Sequence, residues 1–146
     1  MNTDEDKNNK VSLLSALFDG NGESQHYELN RLSESIIGCA FKVGNTLGCG
    51  FLEKVYENAM VLELRNAGLT VAQQEKLSVF YNGSVVGDYE ADLVVNSLII
   101  IELKAVRDLN KIHHAQCFNY LRATGLKLCL LINFGNPRVE IKRIIL

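Results

Sequence analysis

The sequence lacks a surplus of positive charge, a paired-cysteine motif, a long apolar run and any internal repeat. Fifteen Lys and Arg stand against 17 Asp and Glu, for a net charge of -2. A chain that adheres to nucleic acid through overall basicity is thereby excluded, and any phosphate-binding surface has to be local or helped by cations. Cys39, Cys49, Cys117 and Cys129 form no CxxC pair and no Cys/His cluster, which argues against a structural zinc site. The run Val11–Phe18 has too few apolar residues to span a bilayer, and the polar opening Met1–Lys10 is unlike a secretory signal. The chain therefore reads as cytoplasmic, with free thiols and no membrane partner.

What is present suits one α/β domain. The 146 residues are 47% hydrophobic and 22% charged, enough for a single core. Residues 1–25 read as a polar tail, with one short helix possible in Val11–Phe18, and residues 26–146 as the domain. Leu29, Leu32, Ile36, Ala40, Phe41 and Val43 recur at helical spacing and predict a helix from Tyr27 to Leu47, ended by Gly48 and Gly50. Val55, Tyr56, Ala59, Met60 and Leu64 predict a second helix from Leu52 to Ala67. Three strands follow, over 70–81, 84–95 and 98–106, joined by short turns at Asn82-Gly83 and Asn96-Ser97 and so antiparallel. A helix over 110–124 and strands over 126–134 and 139–146 complete the order. The step from third to fourth strand through a helix is a βαβ unit, which makes those two strands parallel and the sheet mixed.

The strand Leu98–Val106 should be apolar, yet it carries Glu102 and Lys104. Residues two apart share a face, and buried charges cost several kcal/mol each unless compensated. Asp88, Glu90 and Asp92 share a face of the preceding strand. A hairpin pairing Val95 with Leu98 sets Asp92 opposite Ile101, and a slip of one residue brings it beside Glu102. Two carboxylates and an ammonium then meet. A divalent cation such as Mg2+, with Mn2+ as substitute, relieves the repulsion and leaves room for a phosphate. The competing arrangement is a plain ion pair between Lys104 and Glu102. On the next helix His113, Gln116 and Tyr120 share a face; Gln116 can orient a water or phosphate, and Tyr120 can contact a nucleic-acid backbone. His113-His114 reads as a solvated pair. Glu53 and Tyr56 lie three apart after the Gly48–Gly50 turn, where an acid also complements the helix dipole.

The segment Gly50-Phe51-Leu52-Glu53-Lys54-Val55-Tyr56 resembles the signature of the GxxExxY protein family, part of the PD-(D/E)xK nuclease superfamily. The likeness continues through the segments 81–95, 99–106, 113–125 and 130–135. It implies a restriction-endonuclease-like core of helix, three strands, helix and strand. It further implies metal ligation by Asp92 and Glu102, with the Leu103 carbonyl and Glu53 as added ligands. Lys104 would position the attacking water, and Gln116, Tyr120 and Tyr56 would line the substrate. Two positions depart from that pattern: Gly44 stands where the family has histidine, and Cys49 where it has proline. The implied activity is metal-dependent hydrolysis of DNA or RNA. The alternatives are a non-catalytic nucleic-acid-binding or accessory module, distinguished by absent metal binding, and a structural charge network. A homodimer is a candidate way for so small an acidic domain to gain grip.

Overall fold

The computed structural model describes residues 22–146, so the expected tail and the Val11–Phe18 helix lie outside the described residues. The described residues divide into two units, 22–32 and 33–146. Helix α1 spans Gly22–Leu47, α2 Glu53–Asn66, β1 Val71–Tyr81, β2 Ser84–Val95 and β3 Ile99–Lys104. Helix α3 (Lys111–Thr124), β4 (Leu128–Asn133) and β5 (Glu140–Ile145) follow. Helix α1 begins five residues before the expected Tyr27, because Gly22–Ser24, read as a turn, are helical, with Glu23 in the first turn facing the helix dipole.

The five strands form one sheet in chain order, β1-β2-β3-β4-β5. Pairing is antiparallel except for β3 and β4, which run parallel. This is the mixed sheet expected, with helices packed on it, and the α/β fold class holds. The central strands β3 and β4 are buried along nearly their whole length, as unbroken runs of Ile and Leu require. Helix α3 presents Cys117, Tyr120 and Leu121 to a cluster of Leu77, Ala91, Val94, Ile100, Cys129, Leu131 and Ile144. Asn110 caps α3: its side chain accepts from the backbone of Ile112 and His113, and the His113 Nδ1 accepts in return from the Asn110 N–H at 3.3 Å. His113 is thus spent on ending a helix.

Strand β3 stops at Lys104, two residues short of the expected Val106, because a buried side chain replaces the backbone ladder there. Asn133, fully buried, accepts from the Val106 N–H (3.0 Å) and donates to the Val106 carbonyl (2.8 Å). Its Oδ1 also accepts from the Gly135 N–H at 3.0 Å. Gly135 is needed because a Cβ there would lie 1.9 Å from the Val106 carbonyl oxygen. This knot fixes the chain directly beyond Lys104. Asn133→Ala strips both Val106 backbone groups of their partner, and we expect a loss of roughly 2–4 kcal/mol, read from the urea midpoint; a midpoint equal to the parent's would show that the knot contributes nothing.

Candidate active site

The turn between β2 and β3 sets the register that decides the site. Asn96 and Ser97 both adopt positive φ (50° and 55°), and the Leu98 N–H returns to the Val95 carbonyl at 3.0 Å. Pairing then opens with Val95 opposite Ile99, not Leu98, and continues to Leu93 opposite Ile101. The one-residue difference places Asp92 next in line with Glu102. Beyond Leu93 and Ile101 the ladder gives way to side chains. The Glu102 carboxylate accepts from the Asp92 N–H (3.1 Å), and the Asp92 carboxylate accepts from the Leu103 N–H (2.8 Å). The two strands separate at this fork, and both acids sit in its mouth.

Burial makes the pair costly. Glu102 is only 3% exposed. Loss of solvation, and then the Asp92 charge, push its carboxyl up to about 9. Asp92 is raised in the same direction by burial, opposed by the Leu103 N–H bond. Lys104, half-buried two residues along the same strand, lowers both through its charge, although burial outweighs it. Among the described residues no ion pair within 4 Å joins Lys104 to either acid; the pairs are Lys42–Glu63, Lys54–Glu57 and Lys76–Asp88. The plain ion-pair arrangement is therefore not what the chain adopts.

Helix α2 brings further acid to the fork. Glu53, exposed at its first turn, is raised by partial desolvation, with Lys104 acting against this and Asp92 and Glu57 adding to it. Glu53 thus shares the site's electrostatics. Among the described residues, however, no three Asp, Glu, His or Cys side chains group as a metal cage. One helical turn on, Glu57 is 3% exposed and was not anticipated. Its carboxylate accepts from Lys54 Nζ (2.5 Å), Gln73 Nε2 (2.5 Å) and Gln74 Nε2 (2.6 Å). Gln74, at a positive φ of 53° in β1, also reaches Asp92 at 3.5 Å. The Glu53–Glu57 spacing of one turn was the available signal; that Glu57 faces inward depends on how α2 lies on the sheet.

Two tyrosines expected to contact substrate are held by burial and hydrogen bonds. Tyr56 is fully buried and stacks on Phe134, centroids 4.6 Å apart. Its hydroxyl donates to the Gly48 carbonyl (2.6 Å) and accepts from the Phe51 N–H (3.2 Å). The spacing of Gly50, Glu53 and Tyr56 acquires a physical meaning: the tyrosine staples the loop that launches α2, and so holds Glu53 at the fork. Gly48 and Gly50 supply the positive φ this loop needs (70° and 111°). Tyr56→Phe keeps the ring and removes the staple. We expect a loss of about 1–3 kcal/mol by thermal or urea unfolding, and an unchanged stability would mean the hydroxyl bonds are exchangeable with water. Tyr120 is also buried; burial and the Glu102 charge push its phenol up to about 12, opposed by a Gln116 hydrogen bond of 2.8 Å. The half-buried Gln116 therefore commits its amide nitrogen to Tyr120. Of the two departures noted in the sequence, Gly44 is explained: a Cβ there would lie 2.2 Å from a Val139 methyl. Cys49 is an exposed free thiol in the stapled loop.

A family model of the PD-(D/E)XK nuclease superfamily matches residues 30–144, a span that includes Asp92, Glu102 and Lys104. The chain belongs to this superfamily. No curated protein matches it. Among solved structures, the crystal structure of SSO0001 is similar at 17% identity with a TM-score of 0.51. That likeness covers 63% of this chain and 48% of that one, so the chain spans about half the length of SSO0001. An alkaline exonuclease (LHK-Exo) from Laribacter hongkongensis is matched at 11% identity and a TM-score of 0.35, over 77% of this chain and 81% of that one. For this PD-(D/E)XK chain the likeness to SSO0001 supports the restriction-endonuclease-like fold. No described helix is long and apolar enough to cross a membrane.

Proposed function

We propose that the chain is a metal-dependent nuclease of the GxxExxY type, hydrolysing phosphodiester bonds in DNA or RNA. One observation carries this reading: Asp92 and Glu102 are held together at a strand fork, one nearly fully buried, with no ion pair to either among the described residues. Buried acids in that condition are costly unless a cation completes them. The donor set suits magnesium, with manganese as substitute, since such ions take one or two carboxylates and keep several waters. Asp92, Glu102 and the Leu103 carbonyl are the protein's contribution. When bound, a dication polarises the phosphate and acidifies its own water.

The chain's own side chains do the rest. Lys104, whose positive charge acts on Asp92, Glu102 and Glu53, would steer a water toward a phosphate. The Tyr120 phenol stays neutral and keeps Gln116 in line with the fork. Glu57, with its three donors, anchors Gln74 against Asp92. The cytoplasm, and a homodimer as a route to grip, belong to the same reading.

The deciding experiment is cleavage of single-stranded, duplex and branched DNA and RNA with Mg2+ or Mn2+, beside a Glu102→Gln control. A companion prediction concerns binding itself. Because Glu102 holds its proton up to high pH, cation binding near pH 7 should release about one proton. Titration in two buffers of different ionisation enthalpy measures that release, together with a rise in Tm. The reading fails if the metals neither shift the melting curve nor support cleavage of any substrate.

A further inference from the structure

The site described gathers four acids, Asp92, Glu102, Glu53 and Glu57, against Lys104 and a Lys54 already bonded to Glu57, so a polyanion needs a further grip elsewhere. Helix α3 is the acid-free element beside it: its 14 residues, KIHHAQCFNYLRAT, include Lys111 and Arg122 and no carboxylate. Lys111, His114, Ala115, Phe118 and Asn119 line a shallow open groove of about 290 Å3 on one flank of this helix. Arg122 lies one turn past Phe118 with its guanidinium 5.2 Å from the ring centroid. Lys142 of β5 emerges on the same side of the sheet: it pairs with Leu131 and lies two residues before Ile144, both of which pack beneath α3. Lys111, His114, Arg122 and Lys142 are all exposed.

We infer that this flank of α3 is a strand-binding surface for nucleic acid, separate from the acidic fork, an inference that rests on the nuclease reading for the identity of the polyanion. Lys111, Arg122 and Lys142 take backbone phosphates, and Phe118, with Arg122 already over it, offers a base a stacking platform. The groove is too open to enclose a small molecule, and its cations follow a helix edge as a backbone does. The inward face of the same helix holds Gln116 and Tyr120 at the fork, so a strand lying along α3 is led toward Glu102. The surface gives local positive charge to a chain whose net charge is -2.

The test uses the full chain in EDTA, a labelled single-stranded 20-mer and its duplex, and fluorescence anisotropy from 50 to 200 mM salt. The parent should bind with affinity falling as salt rises. Each phosphate contact on a single strand contributes a slope of about 0.7. Lys111→Ala/Arg122→Ala should therefore flatten the slope by roughly 1.4 and weaken binding roughly 25-fold at ~0.1 M salt. Lys142→Ala, on a different element, should weaken it roughly fivefold by the same arithmetic. Lys76→Ala, which removes the partner of Asp88 in the β1–β2 hairpin, should leave the slope at the parent value. An unchanged slope in both α3 and β5 variants overturns the inference, as does a parent that does not bind at 50 mM salt. So does displacement of the oligonucleotide by poly-glutamate at equal charge, which would assign the surface to an acidic protein. The two readings fail separately. Cleavage with parental KM in Lys111→Ala/Arg122→Ala sinks the surface and leaves the nuclease; lost binding in those variants without cleavage by the parent does the reverse.

Discussion

Glu102→Gln is expected to lower metal-dependent cleavage at least a thousandfold while the metal-free protein unfolds no earlier than the parent. The magnitude is of the order lost when one group stabilising transition-state charge is removed. Here the substitution removes the proposed metal ligand while leaving an amide oxygen able to accept from the Asp92 N–H as Glu102 does at 3.1 Å. Stability moves the other way from activity because a neutral amide avoids the charge burial that drives the Glu102 carboxyl up to about 9. That combination separates a working metal site from a structural network, in which both effects would be small. Lys104→Ala should behave alike in activity, since it removes the cation whose charge acts on both Asp92 and Glu102, but should raise the cost of ionising them. Purified Lys104→Ala with full activity would falsify the role given to that side chain.

The second large effect is a pH dependence of stability. Glu102 has a folded value raised to about 9 from an ordinary 4.5, chiefly by burial and next by Asp92. A carboxyl whose folded value lies above its unfolded value binds its proton more tightly when folded. Its contribution is therefore favourable below about pH 4.5 relative to high pH, and it is lost steadily as pH climbs from about 4.5 to about 9. Asp92, raised in the same direction, adds to the trend, and the two titrate as a pair. We expect the metal-free protein to lose several kcal/mol across that interval through this pair, whereas most soluble proteins change little there. Urea unfolding at pH 5.5, 7 and 8.5 measures it. Glu102→Gln should flatten the profile, and saturating Mg2+ should do so as well, because the cation favours the ionised form. A parent profile that is flat without metal would mean the fork is better solvated than its 3% exposure indicates.

Much of this site could be read before any coordinates. Glu102 and Lys104 stood out because charges two apart in a solidly apolar strand conflict with their setting, and Asp92 stood out through the short link at Asn96-Ser97. The mixed sheet followed from turn lengths, since two- or three-residue links force antiparallel neighbours and a helical crossover permits a parallel pair. The spacings of Tyr56 and Tyr120 were legible, but only packing shows that the rings turn inward and that their hydroxyls bond Gly48 and Gln116. Glu57 escaped notice because an acid on an amphipathic helix looks like any solvated charge until the helix is laid on the sheet. Its burial brings Gln73 and Gln74 in from β1, a strand whose sequence gave no functional sign.

Local patterns thus determined the elements, the sense of pairing from β1 through β4 and the three principal residues of the fork, because alternation, turn chemistry and the penalty for buried charge all act over a few residues. The register of β2 on β3 was decided by the tertiary structure, since Asn96 and Ser97 in positive φ shift pairing by one and so bring Asp92 to Glu102. So was the desolvation that gives the pair its chemistry, because it depends on α2, α3 and β1 closing around the fork from distant parts of the chain.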